Sequence, residues 1–291
     1  MIISRTQPQE HGSLAPLMDQ WQVILAATTS QAAAHQYFNA ARRFVWANQI
    51  DRPGQITAGV VQLYLAQARQ DRGLAPATLH HLRTAISSLC DYCCQQGQLH
   101  ENPCAAVKVP KIPRRPIRWL DAAATRRAVL LAGYYGCGFE VKMAIYTGLR
   151  RDELRRLKWE RVDLAAKLVR VEYGKGGKHR TVPLSAAIYD DLAAVALPDG
   201  WVFPGRMGQC RSKSTWGNLI NPVRERMPEV TGWHIFRKTF ASLLMQAGVS
   251  PAKIAAWLGH SDIKLTLSTY GSLAPDRYDA DIDRLNPTDC P

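Results

Sequence analysis

The sequence contains no segment suited to crossing a membrane or directing export. No apolar run approaches the roughly 20 residues that span a bilayer. The opening stretch MIISRTQPQEHG has neither the apolar core of a secretory signal nor the arginine-rich amphipathic character of a transit helix. A disulfide framework is missing as well. The seven cysteines are odd in number and irregularly spaced, as expected for a chain in a reducing cytoplasm. Cys90, Cys93, Cys94, His100 and Cys104 include zinc-ligand types. However, Cys90, Cys93 and Cys94 continue a helical pattern with Leu79, Leu82, Ile86 and Leu89, where cysteine acts as a small hydrophobe. Core packing is expected there, with no metal. A nucleotide-binding P-loop is excluded too. Around Gly174-Lys175-Gly176-Gly177-Lys178 it would need glycine at position 172 and a hydroxyl residue at 179, but Glu172 and His179 occupy them. No cofactor is expected.

Positive charge is abundant. The 291 residues are 46% apolar, enough for two domains with cores of their own, and carry a formal charge of +13. The residues before Pro116 hold 11 Lys+Arg against 6 Asp+Glu, and those from Pro116 onward hold 26 against 18. Both halves are therefore basic, which suits a protein that grips a nucleic acid from two sides.

Residues 1–113 predict a short helical bundle. Leu14 to Leu25 forms a weakly patterned first helix. Ser30 caps a second, with Tyr37, Ala41, Phe44 and Val45 on one face. After the break at Pro53-Gly54, Thr57 caps a third helix carrying Val60, Val61, Tyr64, Leu65 and Ala68, and Gly73 ends it. Pro76 starts a fourth helix that runs to about Gln96. Arg42, Arg43, Lys108 and Lys111 are candidate DNA contacts on or beside these helices. Pro113-Arg114-Arg115-Pro116 reads as an extended basic linker over 114–118, and Arg114 and Arg115 add to the DNA-binding candidates.

Residues 119–291 open with a helix capped by Asp121 and a second from Phe139 to Tyr146. Gly148 then permits a close turn, and Arg150 stands at the start of a helix ending near Leu157, where a guanidinium suits a phosphate. Lys167–Tyr173 and His179–Leu184 predict two strands joined by the glycine-rich hairpin, whose lysines can reach a DNA groove. Farther on, His234 and Arg237 share one face of a helix, with Phe236, Phe240, Leu243, Leu244 and Ala247 expected to pack the opposite side. Gly248 stops that helix, Pro251 opens another to Leu258, and Gly259 presents His260 at a turn. Tyr270 follows ten residues later.

His234-x-x-Arg237, Leu258-Gly259-His260 and Tyr270, taken with Thr147-Gly148-Leu149-Arg150 upstream, resemble the signature of the tyrosine recombinase (phage integrase) family. The resemblance covers essentially the whole chain and extends to Gly73, Pro76 and Thr78 in the first half. It implies a mainly α protein with a small β-sheet: an N-terminal helical-bundle core-binding domain of SAM-like type, then a mixed α+β catalytic domain. The implied catalytic set is Arg150, Lys175, His234, Arg237, His260 and the nucleophile Tyr270, with Glu153 orienting Arg150. Lys178 is the alternative lysine and, with Arg180, a candidate DNA contact. The implied reaction is DNA cleavage and rejoining through a 3′-phosphotyrosine and a Holliday junction, on double-stranded DNA with inverted-repeat core sites.

Two features depart from the family pattern. Lys238 stands where histidine is frequent, and the His260-to-Tyr270 interval is one residue longer than in Xer-type members. Tyr270-Gly271-Ser272-Leu273 looks like integrases of mobile elements, so an element-borne enzyme acting at the nucleoid is expected over a chromosome-dimer resolvase. A type IB topoisomerase and an inactive DNA-binding descendant are the alternatives. Beyond Tyr270, Tyr278, Ile282 and Leu285 share one helical face among Asp276, Asp279, Asp281, Asp283 and Asp289. That acidic stripe is expected to dock into a neighbouring protomer and build a homo-tetramer.

Overall fold

The computed structural model describes residues 13–113, 116–172 and 179–274. Arg114, Arg115, Lys175, Lys178 and the tail stripe beyond residue 274 lie outside the described residues. The chain divides into two compact units, Met1–Arg114 and Arg115–Pro291.

In the first unit, α1 (Leu14–Thr28), α2 (Gln31–Ala47), α3 (Ala58–Arg72) and α4 (Pro76–Gln95) enclose one core. Local chemistry sets their ends. The Ser30 and Thr57 hydroxyls accept the backbone N–H groups of Ala33 and Val60, each at 3.3 Å. Gly73 closes α3 in the left-handed conformation, and Pro76 occupies the first turn of α4. Cys90, Cys93 and Cys104 are fully buried in the core with Ile86 and Leu89, and burial pushes the Cys93 thiol up to about 11. The segment leaving the bundle is fastened to it. Arg83 donates to the carbonyls of Cys104 and Val107 at 2.6 and 3.1 Å, and Gln62 pairs with both backbone groups of Lys108.

The second unit is mostly helical with one small sheet. Its helices are α5 (Ala122–Tyr134), α6 (Gly138–Thr147), α7 (Arg151–Arg155), α8 (Ala186–Ala194), α9 (Lys213–Asn218), α10 (Asn221–Arg226), α11 (His234–Gln246), α12 (Pro251–Leu258) and α13 (Ile263–Tyr270). Strands β1 (Val162–Asp163), β2 (Leu168–Val171) and β3 (Arg180–Pro183) pair antiparallel in that order. Val169 lies opposite Val182, and Val171 opposite Arg180.

Helix α11 is the hub. Ile235, Phe236, Thr239, Phe240, Ala241, Ser242 and Met245 are all buried. A single apolar face does not describe it: Leu243 and Leu244 are only half-buried and Ala247 is exposed, because burial encircles the N-terminal part of the helix. Its start is held by an aromatic chain, Phe203–Trp216–Trp233–Phe236, with centroids 5.2, 5.2 and 5.8 Å apart.

Gly148 ends α6 at φ +61°, and a Cβ built there would come within 2.4 Å of the Phe240 ring. Both the backbone conformation and the close approach of α11 therefore demand glycine. Gly148→Ala should destabilise the protein by about 2–3 kcal/mol from strain plus overpacking. Urea unfolding measures this, and a loss under about 0.5 kcal/mol would contradict the fit.

Candidate active site

The site is assembled where α7, β3, α11, α12 and α13 meet. Arg237, one turn into α11, is 3% exposed. It donates to the carbonyl of Gly148 at 2.6 Å and to the carbonyl of Leu258. Desolvation, then the nearby Arg150 charge, lowers its pKa to about 9, so it still carries its proton at neutral pH.

Arg150 immediately precedes α7, and its side chain is about one-third exposed. Its backbone N–H donates to Glu153 Oε2 at 2.6 Å, and its guanidinium reaches Oε1 at 2.9 Å. Glu153 thus caps α7, and the N–H that a phosphate could have used is taken. The exposed part of the guanidinium remains available to substrate. Arg155, five residues on in the same arginine-rich run, is instead tied to Asp152 and the carbonyl of Arg211.

The expectation that Arg180 contacts DNA meets a different arrangement. Its side chain is only 7% exposed. Nη1 and Nη2 donate to the two Glu153 oxygens at 2.9 and 2.6 Å, and Nε donates to the carbonyl of Trp257 at 2.7 Å. On β3 it shares the inward side with buried Val182, and this strand alternation was the available sequence signal. Burial would raise the Glu153 pKa, but the Arg180 and Arg150 contacts overcome it and hold the carboxylate down at about 2.

Gly259 ends α12 in the left-handed conformation and turns His260 into the site. His260 Nδ1 lies 2.7 Å from Thr266 Oγ1, a buried α13 hydroxyl that sequence reasoning passed over. Desolvation, reinforced by the charges of Arg237, Arg150 and Arg180, lowers the His260 pKa to about 4. His234 is exposed on one side. Desolvation of its packed side, then Arg237, Lys238 and Arg150, lowers its pKa as well. Tyr270, the last residue of α13, is 4% exposed and packs with Phe240, Ala241, Met245, Ile254 and Leu258. Its burial raises the phenol pKa, and Arg237 partly offsets the rise.

The structure therefore brings Arg150, Glu153, His234, Arg237, His260 and Tyr270 into one region, while Lys175 lies outside the described residues. In the first unit Arg42, Arg43, Lys108 and Lys111 are exposed, with the Arg42 guanidinium 6.0 Å from the Phe38 ring centre. Two arginines, two imidazoles and a phenol gathered in one region have the chemistry that binding and attacking a phosphodiester requires.

Residues 121–277 match the model of the phage integrase family. The tyrosine recombinase XerC of Xanthomonas campestris is 33% identical over 224 residues, 71% of this chain and 69% of that one. XerC of Azotobacter vinelandii is 32% identical over 231 residues, 73% of each chain. In fold, the chain is similar to the Tn1549 transposon integrase in complex with transposon right-end DNA, at TM-score 0.76 and 17% identity over 94% of this chain and 99% of that one. It is also similar to lambda integrase bound as a dimer to a COC′ core site, at TM-score 0.72 and 20% identity over 92% and 79%. The chain belongs to the phage integrase family. It is a tyrosine-type site-specific DNA recombinase.

The lowered His260 pKa sets a pH signature. A histidine whose folded pKa falls below 6.5 resists charging, so its contribution to stability is lost from about pH 6.5 down toward 4. Glu153, depressed from 4.5 to about 2, withdraws stabilisation only below about 4.5. At pH 6 the His260 ring of the free protein should remain neutral by NMR. A titration midpoint at or above 6.5 would refute this environment.

Proposed function

We propose that Tyr270 attacks a DNA phosphodiester and becomes joined to the 3′ phosphate. The bond from phosphorus to the 5′ oxygen breaks, and that oxygen leaves as a hydroxyl. Arg150 and Arg237 hold the non-bridging oxygens, and Lys175 gives the leaving oxygen its proton. His234, neutral at pH 7, accepts the phenol proton. His260 donates through Nε2, which requires Thr266 to donate to Nδ1 and so fixes the tautomer. A 5′ hydroxyl from a second strand then attacks the phosphotyrosine and expels the phenolate. Because one phosphodiester replaces another, neither ATP nor a metal is needed, and two such exchanges pass through a Holliday junction.

The observation that carries this reading is the placement of a buried phenol and two arginines around the α12 terminus. The substrate is double-stranded DNA with inverted-repeat core sites, gripped by Arg42, Arg43, Lys108, Lys111, Arg114, Arg115 and Lys178. We place the enzyme on a mobile element, working in the cytoplasm at the nucleoid, from the His260-to-Tyr270 interval and the Tyr-Gly-Ser-Leu sequence.

Nicked site DNA should trap a protease-sensitive adduct that Tyr270→Phe abolishes while half-site affinity stays within about twofold. Arg150→Ala or Arg237→Ala should slow adduct formation roughly 10²–10³-fold. An adduct persisting in Tyr270→Phe removes the assignment.

The tail segment 276–289 docks in a neighbouring subunit and completes a tetramer. This reading rests on its acidic apolar stripe in an otherwise basic chain. Ending the chain after Leu273 should spare half-site binding and abolish tetramers and strand exchange. Normal recombination by the shortened chain would exclude the role.

A further inference from the structure

Three guanidinium groups converge on three consecutive carbonyls at the end of α12. Arg180 donates to Trp257 at 2.7 Å, Arg237 donates to Leu258, and Arg150 Nη2 lies 3.5 Å from the carbonyl of Gly259. These carbonyls fall among the groups a helix leaves without internal partners, and they form the negative end of its dipole. His260 is the next residue in the chain. A single short stretch thus sets the positions of both proposed phosphate arginines and of the neighbouring imidazole.

Arg180 joins this stretch to the other half of the site. Its two terminal nitrogens take both oxygens of Glu153, the same carboxylate that holds the backbone and side chain of Arg150. Its Nε takes α12, and its aliphatic stem lies against Gly259, where a Cβ would come within 2.9 Å of Arg180 Cδ. Gly259, at φ +65°, is therefore needed both to end the helix and to admit the arginine. Only a planar fork can satisfy this three-point geometry, since lysine offers a single nitrogen.

Building on the reading of Arg150 and Arg237 as the phosphate clamp, we propose that Arg180 is a positioning residue. Through Glu153 and the Trp257 carbonyl it holds the α7 and α12 ends of the site at fixed separation, and it does not touch DNA. Without it, Glu153 loses two charge-assisted bonds and is free to follow Arg150, while the carbonyl end of α12 loses its Trp257 anchor and is less firmly held where it leads into His260.

The test combines single-turnover adduct formation on nicked site DNA, half-site affinity against salt, and the His260 ring resonance in the free protein. Arg180→Lys, which keeps the charge, should slow the rate constant of the active fraction at least ~10-fold, and Arg180→Met roughly 10²-fold. Affinity and its salt slope should stay unchanged. Glu153→Gln should slow the reaction as well, and Arg180→Lys combined with it should be no slower than the worse single variant.

In the free protein, Arg180→Lys and Glu153→Gln should shift the His260 ring resonance, while Lys111→Ala should leave it in place. Lower affinity with a salt slope reduced by about one would mark a direct phosphate contact and overturn the proposal. A reduced burst with an unchanged rate constant would do so as well, since it reports folding alone. An unmoved His260 resonance would also overturn it. If the parent protein forms no Tyr270 adduct, the functional reading falls, and the His260 spectra still decide the role of Arg180.

Discussion

One carboxylate makes this site possible. Glu153 is buried and accepts four donors, two from Arg180 and two from Arg150, counting the backbone N–H. Arginines packed this closely repel one another, and an isolated buried carboxylate would be strongly disfavoured. Together they satisfy each other's hydrogen bonds. The cap on α7, the orientation of Arg150 and the seating of β3 against α12 all depend on that pairing.

A second constraint is steric. α11 can bring Arg237 to the carbonyl of Gly148 only because residue 148 has no side chain to meet Phe240. The aromatic chain through Trp216 and Trp233 fixes where α11 begins and so where His234 emerges. The groups proposed to react sit at helix ends, while the core beneath them sets the spacing. That division lets rigid packing deliver polar groups to a shared surface.

Much of this was legible in the sequence because its signals are local. Ser30, Thr57, Gly73, Pro76, Asp121 and Pro251 mark helix ends through hydrogen bonds or backbone geometry that span a few residues. The site motifs were legible for the same reason: His234 and Arg237 share a turn, and Gly259 delivers His260. Helix α13 was not, because Ile263, Leu265 and Leu267 are exposed while the buried members are Thr266 and Tyr270, the reverse of an amphipathic pattern. Helices α8, α9 and α10 are short and carry little periodic signal. Arg180 looked like a DNA ligand because charge alone does not reveal a partner 27 residues away in the chain. The buried side of α11 was misjudged because the helix is enclosed around its first half, and no single stripe represents that.

Arg237 also shows how a cation can be buried without being cancelled. Its hydrogen bonds run to the carbonyl of Gly148, which caps α6, and to that of Leu258, the last residue of α12. Each helix end offers roughly half a negative charge, so the two together supply about one unit of compensation. That compensation comes from dipoles and adds no formal negative charge beside the guanidinium. Neither of these two partners is a carboxylate, so a phosphodiester drawn to this arginine has no carboxylate to displace from it. The helix ends thus stabilise a buried guanidinium through backbone carbonyls.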